Sequence, residues 1–266
     1  MAARISDLFH RAPAKRIFAG QCQVHGEVDM TEVEQLDGSM LARGCKRCQW
    51  EALHNSPRDS EVYAMARAQA DAERTTSALI GAGITPRFAE ATFDGYVADT
   101  DQQRKALTKC RGYAEQFPSH FRAGRSLLLT GNVGCGKTHL ASAIVRTVVA
   151  DRCRALIIPA SDIISIARAS MVPESGYTDR DVVVHLGGLD LLVIDEVGCQ
   201  KGSEYELGLL HAIIDRRYQA VLPTVLISNL SPESLKAYIG DRALDRLRQN
   251  GGMAVGFTWP SMRAAA

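Results

Sequence analysis

Near the middle of the 266-residue chain lies an eight-residue run whose backbone requirements few folds can meet: Gly131-Asn132-Val133-Gly134-Cys135-Gly136-Lys137-Thr138. The run matches the pattern G-x-x-x-x-G-K-[ST] at every defined position, which chance alone would produce in roughly one chain in a hundred of this length. The apolar residues Leu127-Leu128-Leu129 precede the run, and a helical sequence follows from His139. This order predicts a strand, a tight turn and a helix in direct succession, which is the arrangement of a phosphate-binding loop.

The chemistry of phosphate binding explains each part of this loop. Glycines let backbone N–H groups turn inward around a phosphate, and the N-terminus of the following helix adds positive potential. Lys137 is expected to contact the β- and γ-phosphates, and the Thr138 hydroxyl is expected to bind Mg²⁺. We therefore predict that ATP binds here, in contact with Gly131, Asn132, Val133, Gly134, Cys135, Gly136, Lys137, Thr138 and His139.

Polar residues follow two apolar runs further along the chain. Asp195 and Glu196 come directly after Leu191-Leu192-Val193-Ile194, and Asn229 follows a run at 224–228. Ligands bind at the carboxyl ends of parallel strands, so Asp195 is expected to hold Mg²⁺ together with Thr138. Glu196 is expected to orient and polarise the attacking water, and Asn229 to read the γ-phosphate. Lys137, Glu196 and Asn229 are thus the predicted catalytic side chains of this edge.

Short runs rich in Val, Ile and Leu alternate with helical stretches from about residue 85 onward. These runs are 126–130, 155–159, 189–195, 223–228 and 253–258. Strands separated by helices predict parallel strands with crossover helices. The predicted fold class is α/β, a P-loop NTPase domain with a three-layer αβα arrangement around a parallel central sheet. No run approaches the ~18 apolar residues that would predict a membrane-spanning helix.

The cysteines near the N-terminus have the spacing of metal ligands. Cys22-Gln23-Val24-His25 is followed by Cys45-Lys46-Arg47-Cys48. Two C-x-x-[CH] knuckles at that separation supply the Cys₃His ligand set of a closed tetrahedral zinc site, and Zn²⁺ would supply the folding free energy that so small a segment lacks. The alternative is a set of unrelated thiols with an exposed His25. The cysteine usage, with no export signal, leads us to expect a reducing cytoplasm.

The chain is expected to divide into three segments. Residues 1–55 form the zinc-binding module, residues 56–84 a linker that contains an Ala-rich helix at 61–80, and residues 85–266 the ATPase domain. Apolar residues make up 46% of the chain and charged residues 23%, which excludes wholesale disorder.

Three arginines lie in one short helical sequence near the C-terminus: Arg242, Arg246 and Arg248. An arginine from a neighbouring subunit commonly stabilises the transition state of a P-loop enzyme, and Arg242 and Arg246 lie on one helix face. The alternative is a surface helix in which these arginines pair with Asp241 and Asp245. The residues alone leave both interpretations open. With 31 Lys+Arg against 30 Asp+Glu, any affinity for nucleic acid must come from a local basic patch.

The motifs follow one another in a distinctive order: ITPRF, TFDGY, GNVGCGKTHLASAI, LLVIDEVG, YELGLLHAIIDRRY, PTVLISNL, GDRALDRLRQ and FTWPSMR. This series, which runs from Ile84 to Arg263, resembles the DnaC-type replicative helicase loaders, in the DnaC/IstB-like branch of the AAA+ ATPases, which is close to DnaA. The resemblance implies that Lys137 and Thr138 are Walker A residues, and that Asp195 and Glu196 are Walker B residues.

The resemblance also implies roles that the residues alone do not. Asn229 would be sensor 1, Arg246 the arginine finger and Arg263 sensor 2, while Arg87 and Phe88 would lie beside the adenine. A loader of this family assembles with its own copies in an ATP-dependent spiral, grips single-stranded DNA and opens a hexameric replicative helicase through its N-terminal region. No membrane takes part. Some loaders lack an N-terminal metal site, so the resemblance does not supply the helicase-binding residues of this chain.

Two other functions are compatible with the sequence. One is a transposition helper ATPase of the IstB type, which shares these motifs but serves a transposase. The other is a zinc-stabilised DNA-binding adaptor whose P-loop no longer hydrolyses ATP, although the intact Lys137, Thr138, Asp195 and Glu196 argue against it.

Overall fold

A computed structural model describes residues 5–265 of the chain. These residues form two compact units, one of residues 11–89 and one of residues 5–10 together with residues 90–265. The helices are α1 (Ile5–Phe9), α2 (Lys46–Asn55), α3 (Glu61–Gly81), α4 (Asp101–Glu115), α5 (Phe117–Ala123), α6 (Lys137–Ala150), α7 (Ala160–Ala169), α8 (Asp179–Gly187), α9 (Glu204–Gln219) and α10 (Pro232–Arg248). The strands are β1 (Lys15–Cys22), β2 (Gly26–Glu34), β3 (Met40–Arg43), β4 (Leu127–Gly131), β5 (Ala155–Pro159), β6 (Leu191–Val197), β7 (Thr224–Ser228) and β8 (Met253–Phe257).

The smaller unit, residues 11–89, is built on an antiparallel sheet in the order β1-β2-β3. The β1–β2 pairing runs from Lys15 opposite Val33 to Cys22 opposite Gly26, so the hairpin ends at the first cysteine knuckle. Helix α2 begins directly after Cys45, and α3 begins after Ser60, whose hydroxyl accepts a hydrogen bond from the Tyr63 N–H. The α3 bounds agree with the helix predicted at 61–80, whereas the three strands of this sheet were not foreseen from the sequence.

The larger unit contains a five-stranded sheet in the order β5-β6-β7-β4-β8. All four neighbouring pairs are parallel, as the alternation of strands and helices requires. The strands contribute the centre of the core, because nearly every side chain of β4, β6 and β7 is buried. Helices α4, α6, α7 and α10 pack against this sheet. The predicted α/β class with a parallel central sheet is therefore confirmed.

Strand order determines where the site lies. Strand β4, which feeds the phosphate loop, lies between β7 and β8, and β6 lies on the far side of β7. The carboxyl ends of β4, β6 and β7 therefore meet at one edge of the sheet, which is where ligands bind in open parallel sheets. The five predicted strands coincide with β4 to β8. Strand β6, however, extends to Val197, so that Asp195 and Glu196 lie within it and not after it.

A buried arginine joins several elements on the opposite side of this unit. Arg217 is fully buried, and its guanidinium donates to the carbonyls of Leu186, Leu189 and Pro223 at 2.6–2.8 Å and to the Thr224 hydroxyl at 2.9 Å. Among the described residues, none of the helices has the length and hydropathy that crossing a bilayer requires.

Candidate functional site

The phosphate loop joins β4 to α6, and its lysine is held by the loop itself. The Lys137 ammonium donates to the carbonyls of Gly131 at 2.7 Å and Asn132 at 2.6 Å. Burial is the main cause that lowers the pKa of Lys137, and the nearby positive charge of Arg263 adds to this effect. The predicted sensor 2 arginine thus lies close to the predicted Walker A lysine. An incoming phosphate would offer the ammonium a charged partner in place of two neutral carbonyls.

Glycine at position 131 is required by the neighbouring strand as well as by the loop. Its φ is +128°, and a Cβ there would lie 2.1 Å from the carbonyl oxygen of Phe257 in β8. Gly134 and Gly136 also have positive φ, at +79° and +87°. The backbone can turn around a phosphate only with such angles, which other residues adopt at a cost. The pattern that predicted the loop therefore has a direct conformational basis.

The two predicted magnesium ligands lie side by side. The Thr138 hydroxyl donates to Oδ2 of Asp195 at 2.9 Å, and the Glu196 N–H donates to Oδ1 at 2.7 Å. Asp195 is buried, and this burial raises the pKa of its carboxyl, although the hydrogen bonds from Thr138 and Glu196 act in the opposite direction. An oxygen-only pair of this kind suits Mg²⁺, which takes one or two protein ligands and keeps several waters.

Glu196 lies in a strained backbone conformation at the edge of the sheet. Its φ is +56°, which is unusual for a residue other than glycine, and it lies where the β6–β7 register shifts between Ile194 and Val197. The bulge leaves the Glu196 side chain exposed between two buried neighbours. Bulges re-aim side chains next to active sites. Asn229, also exposed, follows directly after β7 at the same edge.

Two side chains of the larger unit, Tyr96 and Trp259, contact the loop, and the sequence predicted a role for neither. Tyr96 donates from its hydroxyl to the Cys135 carbonyl at 3.0 Å, and its ring fills the space beside Gly136. His139, a predicted contact residue, is 2.8 Å through Nε2 from the Thr92 carbonyl. Trp259 donates to the same Cys135 carbonyl at 3.2 Å. Of the remaining loop residues, Val133 is exposed.

The two candidate arginine fingers differ in their surroundings. Arg246 forms an ion pair with Asp215 of α9, and its side chain is only 13% exposed. The Arg242 side chain is 81% exposed, with Nη2 3.8 Å from Asp215 Oδ2. Asp241 pairs instead with Lys236 at 2.9 Å. The carboxylate partner of both arginines is therefore Asp215, and not the Asp241 or Asp245 considered from sequence. Which arginine acts on a neighbouring subunit stays a prediction.

Arg87 and Phe88 lie on a short 3₁₀ turn, Pro86–Phe88, in the unit of residues 11–89. Their expected position beside the adenine stays a prediction.

The four predicted zinc ligands form a cluster in the smaller unit. The sulfur of Cys22 lies 3.5 Å from that of Cys48, and Nδ1 of His25 lies 3.7, 3.6 and 3.3 Å from the sulfurs of Cys22, Cys45 and Cys48. A tetrahedral zinc with bonds of ordinary length would place such atoms about 3.4–3.8 Å apart. The four residues therefore fit a single zinc ion. No other such group of three or more potential ligands occurs within residues 5–265.

Neighbouring groups support this ligand set. His25 Nε2 lies 3.0 Å from Glu51 Oε1, and a carboxylate in this position fixes the ring of a metal-binding histidine. The backbone N–H groups of His25 and Val24, with the His25 side chain, lower the pKa of Cys22 to about 6, which favours the thiolate that binds metal. The three cysteines are free of disulfides.

Comparison with known proteins identifies the ATPase unit. The model of the IstB-like ATP binding protein family matches residues 89–249. The chain belongs to this family. The replicative helicase loader DnaC of Escherichia coli (strain K12) is 35% identical over 182 residues, which are 68% of this chain and 73% of DnaC. DnaC of Buchnera aphidicola subsp. Acyrthosiphon pisum (strain APS) is 33% identical over 181 residues, 68% of this chain and 72% of that protein.

The fold of this IstB-like chain also matches a solved structure. A crystal structure of the DnaC helicase loader aligns with a TM-score of 0.56 at 23% identity, over 64% of this chain and 98% of that one. This similarity shows that the larger unit shares the fold of that structure. The cysteine cluster, residues 22–48, precedes the residues that match the IstB-like family model. The family therefore accounts for an ATP-binding site, whereas the cysteine cluster lies outside the matched residues.

Proposed function

We propose that this protein is an ATPase that loads a replicative DNA helicase onto single-stranded DNA during the initiation of replication. The observation that carries the proposal is the contact between Thr138 and Asp195 at the mouth of an intact phosphate loop, in a chain that is 35% identical to a replicative helicase loader. This pair is placed to hold the Mg²⁺ that accompanies a bound triphosphate.

In the proposed reaction the protein positions groups and forms no covalent intermediate. Lys137 leaves the carbonyls of Gly131 and Asn132 to bind the β- and γ-phosphates of ATP. Thr138 and Asp195 would hold Mg²⁺, which would supply positive charge against the phosphates. Glu196 orients and polarises the attacking water, and Asn229, at the end of the adjacent strand, contacts the γ-phosphate. Positioning and electrostatic stabilisation are sufficient for phosphoryl transfer.

The proposed arginine finger makes hydrolysis depend on assembly. Arg246 is paired with Asp215 in its own chain, so it contributes to the site of a neighbour only after that pair opens. We therefore expect weak turnover from a single subunit and faster turnover when copies assemble in a spiral on single-stranded DNA. An arginine supplied in trans typically raises turnover by about 10³–10⁵.

The smaller unit is proposed to bind Zn²⁺ through Cys22, His25, Cys45 and Cys48 and to contact the hexameric helicase. The zinc would be structural, since four protein ligands leave no open position for a substrate. A reducing cytoplasm would keep these thiols available for metal.

The decisive experiment is co-purification with the hexameric helicase of the same source, with and without ATP. Wild-type protein is expected to retain the helicase with ATP, and Lys137→Ala to lose this nucleotide dependence. Glu196→Gln, which keeps the phosphate-binding groups, is the matched control and is expected to retain the helicase while losing phosphate release. Helicase that never co-purifies under either condition would contradict the proposal.

A transposition helper is the second candidate, because the matching family model carries the IstB-like description. Capture of a transposase in place of the helicase would decide in its favour. A phosphate-release assay with single-stranded DNA tests the third interpretation, a zinc-stabilised adaptor without hydrolysis. Turnover that rises with DNA and disappears in Glu196→Gln excludes that adaptor.

A further inference from the structure

The chain returns over the phosphate loop after its last strand. We call residues 257–262 the C-terminal strap. The Asn132 N–H donates to the Phe257 carbonyl at 2.9 Å, and the Asn132 side-chain amide donates to the carbonyls of Thr258 at 3.3 Å and Trp259 at 3.2 Å. The start of the loop is therefore hydrogen-bonded to the strap through both backbone and side chain.

Trp259 and Cys135 form a reciprocal pair inside this contact. The indole N–H of Trp259 donates to the Cys135 carbonyl at 3.2 Å, and the Cys135 thiol donates to the Trp259 carbonyl at 2.8 Å. Trp259 is 5% exposed and Cys135 is 1% exposed. The Trp259 ring also packs on Phe257, with ring centroids 4.9 Å apart. The indole is thus held in place by its own neighbours.

The strap also binds the loop residue before Cys135. The Met262 N–H donates to the Gly134 carbonyl at 3.0 Å. A Cβ on Gly134 would lie 2.1 Å from the Ser261 hydroxyl oxygen, so the two segments are in close contact. The carbonyls of Gly134 and Cys135 consequently both point at hydrogen-bond donors of the strap.

The direction of these carbonyls has a consequence for phosphate binding. In a planar trans peptide the carbonyl of one residue and the N–H of the next point in opposite directions. Because the Gly134 carbonyl points toward the strap, the Cys135 N–H points away from the strap. Because the Cys135 carbonyl points toward Trp259, the Gly136 N–H points away from Trp259. These N–H groups are the ones that a phosphate loop presents to its ligand.

We propose that Trp259 is a positioning residue for nucleotide: its indole N–H holds the Cys135 peptide in the orientation that phosphate binding needs, before nucleotide arrives. The inference deepens the proposed function, since it rests on nucleotide binding at the same loop. Pre-organisation of this kind improves affinity because the loop need not be ordered on binding. Tyr96 donates to the same Cys135 carbonyl and helps to hold this peptide in place.

The test is nucleotide affinity of the full chain, measured by fluorescent-nucleotide titration with ATP and ADP. Trp259→Phe keeps a six-membered aromatic ring but removes the indole N–H together with the five-membered ring. It is expected to weaken the binding of both nucleotides by about fivefold, the worth of one hydrogen bond. The losses should be equal because both nucleotides carry the β-phosphate that the loop holds. Trp50→Phe is the matched control, since Trp50 is exposed in the smaller unit.

A double variant separates positioning from general packing. Trp259→Phe with Tyr96→Phe removes both side-chain O–H and N–H donors from one buried carbonyl, so its loss should exceed the product of the single losses. Unchanged nucleotide affinities in Trp259→Phe would overturn the inference. A loss of affinity for ATP alone would also overturn it, because the effect would then lie at the γ-phosphate and Arg263. A loss of nucleotide affinity in Trp50→Phe as large as that in Trp259→Phe would also overturn the inference.

A second measurement applies if the Trp259 variants do not fold. In the Trp50→Phe protein Trp259 is the sole tryptophan, and acrylamide should quench it poorly both without nucleotide and with ATP and Mg²⁺. Quenching as strong as for a free indole in the nucleotide-free protein would overturn the inference. None of these measurements uses helicase, so a failure of helicase loading leaves the inference standing.

Discussion

Arg246 of α10 and Asp215 of α9 form an ion pair within one chain, and the Arg246 guanidinium lies over the Tyr218 ring, 5.5 Å from its centroid. The proposed trans-acting arginine is therefore already occupied in the single subunit. Because one guanidinium cannot serve both partners, assembly has to compete with the pair. This competition would couple hydrolysis to the presence of a neighbour.

The first prediction concerns this arginine. Arg246→Ala is expected to abolish the rise in ATP turnover that assembly on single-stranded DNA produces, because the transition state loses its trans charge. ATP affinity should change little, since Arg246 does not contact the phosphate loop of its own chain. Phosphate release with and without DNA, together with a nucleotide titration, measures both effects.

Arg242→Ala is the control for the first prediction, because Arg242 approaches the same carboxylate but is exposed. If Arg242→Ala loses the stimulation and Arg246→Ala keeps it, the finger is Arg242 and the assignment to Arg246 is wrong.

The second prediction concerns the metal cluster. Purified protein is expected to carry about one equivalent of zinc per chain, and Cys48→Ser less than about half an equivalent, because three ligands bind a structural zinc poorly. Elemental analysis measures the content. Cys153→Ser, which alters a cysteine outside the cluster, should retain the metal.

The hydrogen bond that Glu51 accepts from His25 refines this second prediction. Glu51→Gln replaces a carboxylate acceptor with a weaker one and should reduce zinc affinity by about tenfold without changing the ligands. Competition with a chelator gives the affinity. Equal zinc affinity in wild type and Glu51→Gln would show that this contact does not support the site.

The third prediction follows from the buried carboxyl of Asp195. Burial raises its pKa above the ordinary value of 3.8, so the folded protein favours the protonated form. The free energy of unfolding therefore falls as the pH rises from about 3.8 through the raised pKa, and at pH 7 the ionised carboxyl lowers stability. Asp195→Asn should raise the free energy of unfolding at pH 7 by about 1 kcal/mol.

Urea denaturation of the nucleotide-free protein at pH 7 and at about pH 4 tests this sign. The gain in Asp195→Asn should shrink toward about pH 4, where the wild-type carboxyl takes up its proton, and Mg²⁺-dependent ATP turnover should be lost at pH 7. Asp190→Asn is a suitable control, because Asp190 forms an ion pair with Arg154 at 3.1 Å. Removing this carboxylate should not raise the free energy of unfolding. An Asp195→Asn protein that is less stable than wild type at pH 7 would refute the prediction.

The fourth prediction concerns Arg217. Desolvation lowers its pKa to about 9, which leaves the guanidinium charged at neutral pH. Arg217→Met would leave the carbonyls of Leu186, Leu189 and Pro223 without this donor and should lower the free energy of unfolding by about 3 kcal/mol. Unfolding followed by Trp259 fluorescence, in the Trp50→Phe background, reports on this unit. Arg216→Met, at the exposed neighbouring residue, should lower the free energy of unfolding by only about 0.5 kcal/mol. Equal losses in Arg216→Met and Arg217→Met would show that the buried hydrogen bonds of Arg217 do not account for the effect.

Much of the larger unit was predictable because its signals are local. The phosphate loop requires glycines at defined positions, and the apolar runs that precede Asp195 and Asn229 have the composition of buried strands. The Cys/His cluster was predictable in part, since the spacing within each C-x-x-[CH] knuckle is local. That the knuckle of Cys22 and His25 meets the knuckle of Cys45 and Cys48 depends on the tertiary structure.

The three-stranded sheet of the smaller unit was not predictable in this way. Its residues alternate only weakly between buried and exposed positions, so the period-two pattern that marks a half-buried strand is weak in the sequence. The bulge that re-aims Glu196 was missed for a related reason. It arises from the pairing of β6 with β7, and nothing in LLVIDEV indicates a shift of register.

The sequence by itself determined the phosphate-loop motif between β4 and α6, the apolar strand that carries Asp195 and Glu196, and the Cys/His spacing that predicts a zinc site. Tertiary structure alone decided that Asp215 is the partner of Arg246, that Arg217 is buried among carbonyls, and that Trp259 contacts Cys135. These pairs are separated by between 6 and 124 positions in the chain, and such contacts depend on how helices and strands pack. A loop motif carries its own geometry, whereas a contact between distant segments exists only after the sheet has brought them together.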